Sequence, residues 1–132
     1  MVFYSYDALG RMSTKTFGHY DDYIFGTQSF DYDIHGWSTG ISASYNGNDL
    51  FSETLRYAST QKPGTDARWD GNIAEAAFTD PDGSHTYAYT YDGIGRLTDA
   101  KHYAGEKWLG VFRHRFTHHH NIPGFNWGCI RR

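Results

Sequence analysis

Alternating apolar and polar positions predict β-strands along most of this chain. Residues 87–91 read Tyr-Ala-Tyr-Thr-Tyr, so a strand there would carry three rings on one face and small or polar groups on the other. Residues 37–45 alternate in the same way, as do the shorter stretches 30–32 and 4–6. Residues 50–57 alone are compatible with a short helix. The pattern therefore predicts an all-β fold.

Turn-forming sequences interrupt the alternation at short intervals, which is typical of successive antiparallel β-hairpins. They are Asn46-Gly47, Pro63-Gly64, Asp70-Gly71, Pro81-Asp82-Gly83 and Pro123-Gly124.

An internal repeat organises the pattern. Residues 6–12 read Tyr-Asp-Ala-Leu-Gly-Arg-Met, and residues 91–97 read Tyr-Asp-Gly-Ile-Gly-Arg-Leu. A degraded copy occupies residues 32–37, and a fragment containing Asp-Gly-Asn occupies residues 68–73. Repeats of this kind indicate stacked supersecondary units. The residues that carry the motif are Tyr6, Asp7, Gly10, Arg11, Tyr32, Asp33, Gly36, Trp37, Asp70, Gly71, Asn72, Tyr91, Asp92, Gly95, Arg96 and Leu97.

Each copy is predicted to form the tip of a hairpin. Its aspartate favours the first position of a type I turn, and the glycine three residues later can adopt the left-handed conformation that closes the turn through a bulge. The arginine would then face the aspartate across the two strands, and such a pair contributes about 0.2–1 kcal/mol. In the middle copy Trp37 replaces the arginine, which leaves Asp33 without a cation opposite it.

The same aspartates could instead be catalytic or calcium-binding carboxylates. A calcium loop needs oxygen ligands at alternate positions and a late glutamate, and no such run exists here. The turn role explains Asp7, Asp33 and Asp92 without a ligand. We therefore expect no catalytic residue and no cofactor.

Composition fits one β-rich domain. The chain has 132 residues with 11 Tyr, 9 Phe and 4 Trp, and rings of this kind are enriched in strands. No run of 18 apolar residues exists, so we expect no membrane insertion. The first residues lack the basic and apolar regions of a secretory signal. The single cysteine, Cys129, excludes an internal disulfide framework and a cysteine-based zinc site.

Charge divides the chain near residue 107. Residues 1–106 hold all 15 acidic residues, whereas residues 107–132 hold five basic residues and no acid. We expect a repeat region over 1–106 and a basic, histidine-rich, irregular tail over 107–132. In that tail His114, His118 and His120 are weak candidates for metal ligands, since no carboxylate lies near them to orient a ring. Solvated cations are more typical of such a segment than nucleic-acid binding, so no nucleic acid is expected.

The Tyr-Asp-x-x-Gly-Arg-Leu motif resembles the YD repeat of the rearrangement-hotspot (RHS) proteins, and the arrangement of copies is similar to that of RHS-repeat proteins of the Bacteroidetes. The resemblance covers about residues 1–106. It implies a structural role, because YD repeats of that family wind as a β-sheet into a hollow shell. In bacterial toxin systems the shell encloses a toxic domain, and in animal teneurins related repeats support cell-surface adhesion.

The resemblance also implies where the chain works and what it contacts. We expect a fragment of a larger secreted or cell-surface protein, with neighbouring repeat segments, a second copy joined through sheet edges, or an enclosed toxin domain as partners. The leading hypothesis is a non-enzymatic segment of a shell or scaffold. A carbohydrate or cell-surface binding module is the alternative, with Tyr4, Trp37, Trp69 and Tyr87 stacking on a glycan. A toxin effector using a metal bound by the histidine-rich tail is the third hypothesis.

Overall fold

A computed structural model describes residues 1–18 and 23–113. These residues form nine antiparallel β-strands and no helix, so the all-β prediction is confirmed. The strands are β1 Val2–Tyr6, β2 Met12–Gly18, β3 Ile24–Tyr32, β4 Ser38–Tyr45, β5 Asn48–Arg56, β6 Glu75–Asp80, β7 Gly83–Tyr91, β8 Leu97–Ala104 and β9 Lys107–Arg113.

The segment that was compatible with a short helix, residues 50–57, lies mostly in β5 instead. Burial along this strand alternates, with Phe51, Glu53 and Leu55 more buried than the residues between them. A period of two is the signature of a strand that turns one face away from solvent. The alternation therefore outweighs the local preference for helix.

The first of two compact units contains Met1–Leu55 and Ala77–Ser84. Within it β1 to β5 pair antiparallel, each with the next along the chain. A two-residue turn joins β4 to β5, and both of its residues have positive φ, 48° at Asn46 and 76° at Gly47. This is the turn whose twist matches that of a hairpin. The Phe51 and Phe78 rings stack at 6.3 Å.

The second unit contains Arg56–Ala76 and the described residues from His85 onward. Here β7 pairs with β8, and β8 pairs with β9. The apolar residues buried in the described chain all belong to this unit: Ala74, Ala76, Ala88 and Tyr103. Most rings elsewhere lie on half-exposed sheet faces, as the large exposed fractions of Tyr4 and Phe3 illustrate.

The prediction of an irregular tail from residue 107 is wrong for its first seven residues, because Lys107–Arg113 is β9. The strand pairs with β8, and the Arg113 guanidinium lies 2.8 Å from the Asp99 carboxylate on that strand. Arg113 of this strand thus meets an acidic residue across the ladder. Residues 114–132 lie outside the described residues.

Within the described residues no helix has the length and apolar character that a membrane crossing requires.

Candidate functional site

The first copy of the repeated motif closes the β1–β2 hairpin. The Asp7 carboxylate accepts the backbone N–H groups of Leu9 and Arg11, both at 2.9 Å, and the Arg11 Nε at 2.7 Å. Gly10 has a φ of +78°, where an added Cβ would be strained even though it would meet no atom within 4 Å. One aspartate and one glycine therefore shape this turn, and the arginine completes it.

The third copy closes the β7–β8 hairpin with nearly identical geometry. The Asp92 carboxylate accepts the N–H groups of Ile94 at 3.1 Å and Arg96 at 2.9 Å, and the Arg96 Nε at 2.7 Å. Gly95 has a φ of +81°. The two copies that are most similar in sequence thus also make the same set of hydrogen bonds.

The middle copy closes the β3–β4 hairpin with a different partner for its aspartate. The Asp33 carboxylate accepts the N–H groups of His35 and Trp37, and the His35 Nδ1 lies 3.2 Å away. The His35 ring stacks on Trp37 at 4.5 Å. The sequence predicted no cation opposite Asp33, and the structure supplies an imidazole from within the turn. Gly36, at a φ of +84°, again closes the corner.

In all three copies the register of the strand ladder shifts just before the turn. The motif tyrosine then faces the first residue of the following strand: Tyr6 opposite Met12, Tyr32 opposite Ser38 and Tyr91 opposite Leu97.

Contacts between successive copies were not predicted from the sequence. In the first unit the Tyr32 hydroxyl donates to the backbone carbonyl of Met12 at 3.0 Å. The Arg11 guanidinium lies over the Tyr32 ring, 4.6 Å from its centroid, and donates to the Asp33 carbonyl at 3.2 Å. Arg11 therefore holds its own turn through Asp7 and the next turn through Tyr32.

The fragment at residues 68–73 makes the corresponding contacts in the second unit. The Tyr91 hydroxyl donates to the carbonyl of Ile73 at 2.6 Å, and the Arg68 guanidinium lies 4.8 Å from the Tyr91 ring centroid. Arg68 also pairs with Asp70, whose carboxylate accepts the Asn72 N–H at 3.1 Å. The arginine here precedes its aspartate by two residues, whereas Arg11 follows its own by four.

We define the repeat junction as the tyrosine of one copy, the arginine over its ring and the backbone carbonyl that accepts its hydroxyl. The structure shows two repeat junctions, one at Tyr32 and one at Tyr91. In each junction the tyrosine hydroxyl donates a hydrogen bond to the carbonyl, and the tyrosine ring makes a cation–π contact with the arginine. The junction at Tyr32 joins two hairpins, and the junction at Tyr91 joins a hairpin to residues 68–73 in the loop between β5 and β6.

Glu75, which the sequence analysis overlooked, is the one large side chain that is fully buried among the described residues. Its carboxylate accepts the backbone N–H groups of Gln61, at 2.9 and 3.0 Å, and Lys62, at 2.6 Å. The Arg56 guanidinium lies 3.5 Å away. This carboxylate fixes the loop between β5 and β6, and the loop in turn directs the Lys62 ammonium to the carbonyl of Gly105 at 3.1 Å.

The hydrogen bonds of the turns also set the acidity of their aspartates. The Arg11 N–H, followed by its guanidinium, lowers the pKa of Asp7, and Arg96 lowers the pKa of Asp92 in the same order. For Asp33 burial is the largest influence and acts upwards, but the Trp37 N–H and the His35 contacts together bring its pKa below the ordinary value. These carboxylates are therefore held ionised by the fold, as turn caps are.

Acid should consequently weaken the protein. A carboxyl group whose folded-state pKa is depressed contributes stability above its unfolded pKa, and that contribution is lost as the pH falls through the folded value. We expect the thermal midpoint to be steady at mildly acidic pH and to fall below about pH 4. In the variant Asp7→Asn/Asp92→Asn, circular dichroism melts should show a shallower fall over the same range. An equal fall in both proteins would contradict this origin.

The four rings proposed to bind carbohydrate have different environments. Trp69 is 75 % exposed and Tyr4 is 50 % exposed. Trp37 has one face against His35, and Tyr87 has one face against His102, at 4.6 Å. Tyr4 and Trp37 belong to the first unit and the other two to the second.

The predicted tail histidines His114, His118 and His120 lie outside the described residues. Among residues 1–18 and 23–113, no group of three or more His, Cys, Asp or Glu side chains could hold a metal ion.

Comparison with protein-family models found no match, and comparison with curated proteins found none either. The motif and its contacts are therefore the basis on which a function is proposed.

Proposed function

We propose that this chain is a non-catalytic structural segment of a YD/RHS-repeat protein, contributing to a β-sheet shell or surface scaffold of a larger toxin-type or adhesion-type protein. The repeat junction is the observation that carries the proposal. Asp7 and Arg11 shape their own turn, and Tyr32 and Tyr91 each contact a neighbouring copy, which supports a structural use of the motif. A role outside the cell, as part of that larger protein, belongs to the same proposal.

The outer edge of β1 is where a further repeat would add. Met1 and Gly18 exchange both backbone hydrogen bonds, at 2.8 and 3.0 Å. Because bonding alternates along an antiparallel pair, Phe3 and Ser5 then point their backbone groups at β2, whereas Val2 and Tyr4 point theirs outward. An edge of this kind pairs readily with another strand.

Self-association through this edge tests the proposal. We expect the mass measured by analytical ultracentrifugation to exceed 15.1 kDa and to rise with protein concentration. Tyr4→Pro should shift the mass towards the monomer, because proline removes an outward N–H and leaves the β1–β2 ladder intact. Tyr4→Ala is the matched control, since it removes the same ring but keeps the N–H, and it should still associate. A monomer at every concentration would argue against a scaffold segment.

A carbohydrate-binding module is the second candidate, and the exposure of Trp69 favours it. A glycan array is the direct test. Binding that Trp69→Ala abolishes would support this function, and silence of the array would remove it.

A further inference from the structure

Two histidines of the second unit face each other across β7 and β8. The His85 Nδ1 lies 3.0 Å from the His102 Nε2, and the ring planes are inclined by 26°. His102 is directly opposite Tyr87 in the ladder, so His85 is its diagonal neighbour on the same face. The two imidazole nitrogens therefore converge from adjacent strands and share a hydrogen bond, in which one ring donates its N–H and the other accepts it.

The surroundings of His102 hold its ring in one orientation and leave space for a ligand on the side of β9. The Tyr87 ring stacks on it at 4.6 Å and within 7° of parallel. On β9 the residue opposite His102 is Gly110, which has no side chain to cover the ring. Both histidines are partly exposed. An ion could reach this pair from solvent.

The protonation state also suits a ligand. Burial, followed by the nearby His85, lowers the pKa of His102. The neutral ring is the form that binds metals, and it already predominates at pH 7 for an ordinary histidine. The lower pKa of His102 favours that neutral ring further.

We propose that His85 and His102 form a bidentate site for a divalent transition-metal ion, with Cu²⁺ bound most tightly. With metal–nitrogen bonds of about 2.0 Å, the observed separation of 3.0 Å corresponds to an angle of about 95° at the metal. That angle matches neighbouring positions of a square-planar or octahedral ion, whereas a tetrahedral ion needs the nitrogens about 3.3 Å apart. Imidazole also suits copper and nickel, and affinity peaks at Cu²⁺ among such ions.

The described residues supply two ligands and no third from a His, Cys, Asp or Glu group, so water would complete the coordination. A neutral imidazole carries one N–H, and the proton between the two rings would move through water to the far nitrogen of the same ring. Both facing lone pairs would then be available. Binding would fasten β7 to β8 in addition to their ladder.

Titration with CuCl₂ tests the site. The background protein carries His114→Asn, His118→Asn, His119→Asn and His120→Asn, so that the tail cannot contribute imidazoles. Calorimetry should show one equivalent of Cu²⁺, and electron paramagnetic resonance should show coupling to two imidazole nitrogens. His85→Asn and His102→Asn should each weaken binding by about tenfold or more, because a single imidazole cannot chelate. His35→Asn is the matched control and should bind like the background.

Unchanged copper affinity in either His85→Asn or His102→Asn would overturn the proposal, as would loss of binding in His35→Asn alone. A second measurement keeps His85 and His102 in place, so that it does not depend on whether His85→Asn and His102→Asn fold. It uses nuclear magnetic resonance of the background protein. Substoichiometric Cu²⁺ should broaden the ring-proton resonances of His85 and His102 before those of His35. Equal broadening of all three would show non-specific binding and would also overturn the site.

Discussion

Replacing Glu75 by alanine is expected to lower the free energy of unfolding by about 3 kcal/mol. The substitution leaves the backbone N–H groups of Gln61 and Lys62 without their acceptor in a buried place, and it leaves the Arg56 guanidinium without its anion. Unpaired buried groups are among the few causes of so large a loss. Urea denaturation followed by circular dichroism measures the change.

Two controls separate the charge of Glu75 from its position. Glu75→Gln keeps one acceptor oxygen but directs an amide –NH₂ at donors, so it should also destabilise the protein, by about 2 kcal/mol. Glu106→Gln alters a carboxylate that is 99 % exposed, although it too contacts the same loop through Lys62, and should change stability by less than about 0.5 kcal/mol. Equal effects at the two positions would contradict a special role for the buried carboxylate. Faster amide hydrogen exchange at Gln61 and Lys62 in Glu75→Ala would locate the loss.

The turns were the most predictable part of the fold, because their chemistry is local. An aspartate and a glycine three residues apart determine the corner almost without help from the rest of the chain, as the matching contacts of Asp7 and Asp92 show. The strands followed from alternation between those corners. Strand β9 was missed because charge composition suggested a boundary, whereas apolar Trp108 and Val111 still fitted the ladder.

The His85–His102 pair and the partners of Glu75 depend on long-range contacts, so they were not predicted from the sequence. Nothing local relates His85 to His102, which are 17 residues apart and meet only because the β7–β8 register places them diagonally. Glu75 did leave a signal. It is the single charge in the run Ile-Ala-Glu-Ala-Ala-Phe at residues 73–78, and a lone charge in an apolar run indicates a buried, partnered group.

The repeat junctions explain why the motif contains a tyrosine at all. The turn needs only its aspartate and glycine, and the tyrosine lies one residue outside it. Its hydroxyl and ring are used by the neighbouring copy, through the carbonyl of Met12 for Tyr32 and of Ile73 for Tyr91. In the Tyr-Asp pair, the tyrosine therefore contacts the neighbouring copy, and the aspartate beside it closes its own turn.

The three motif tyrosines provide a test of this division within one protein. Tyr32→Ala and Tyr91→Ala should each lower the free energy of unfolding by about 3 kcal/mol, because each loses a packed ring and a hydroxyl bond to backbone. Tyr32→Phe and Tyr91→Phe should each cost about 1 kcal/mol, the usual value of one hydrogen bond. Tyr6 is the matched control, since it has the same place in its turn but is 60 % exposed and its hydroxyl bonds to no described residue.

We therefore expect Tyr6→Phe to be neutral and Tyr6→Ala to cost less than about 1 kcal/mol. Chemical denaturation of the six variants gives the comparison directly. If the tyrosines served only their own hairpins, the three positions would respond alike, since each faces the first residue of the following strand in the same register. A double-mutant cycle of Arg11→Ala with Tyr32→Ala should in addition show coupling of about 0.5–1 kcal/mol, which is expected if the guanidinium over the ring joins one repeat to the next.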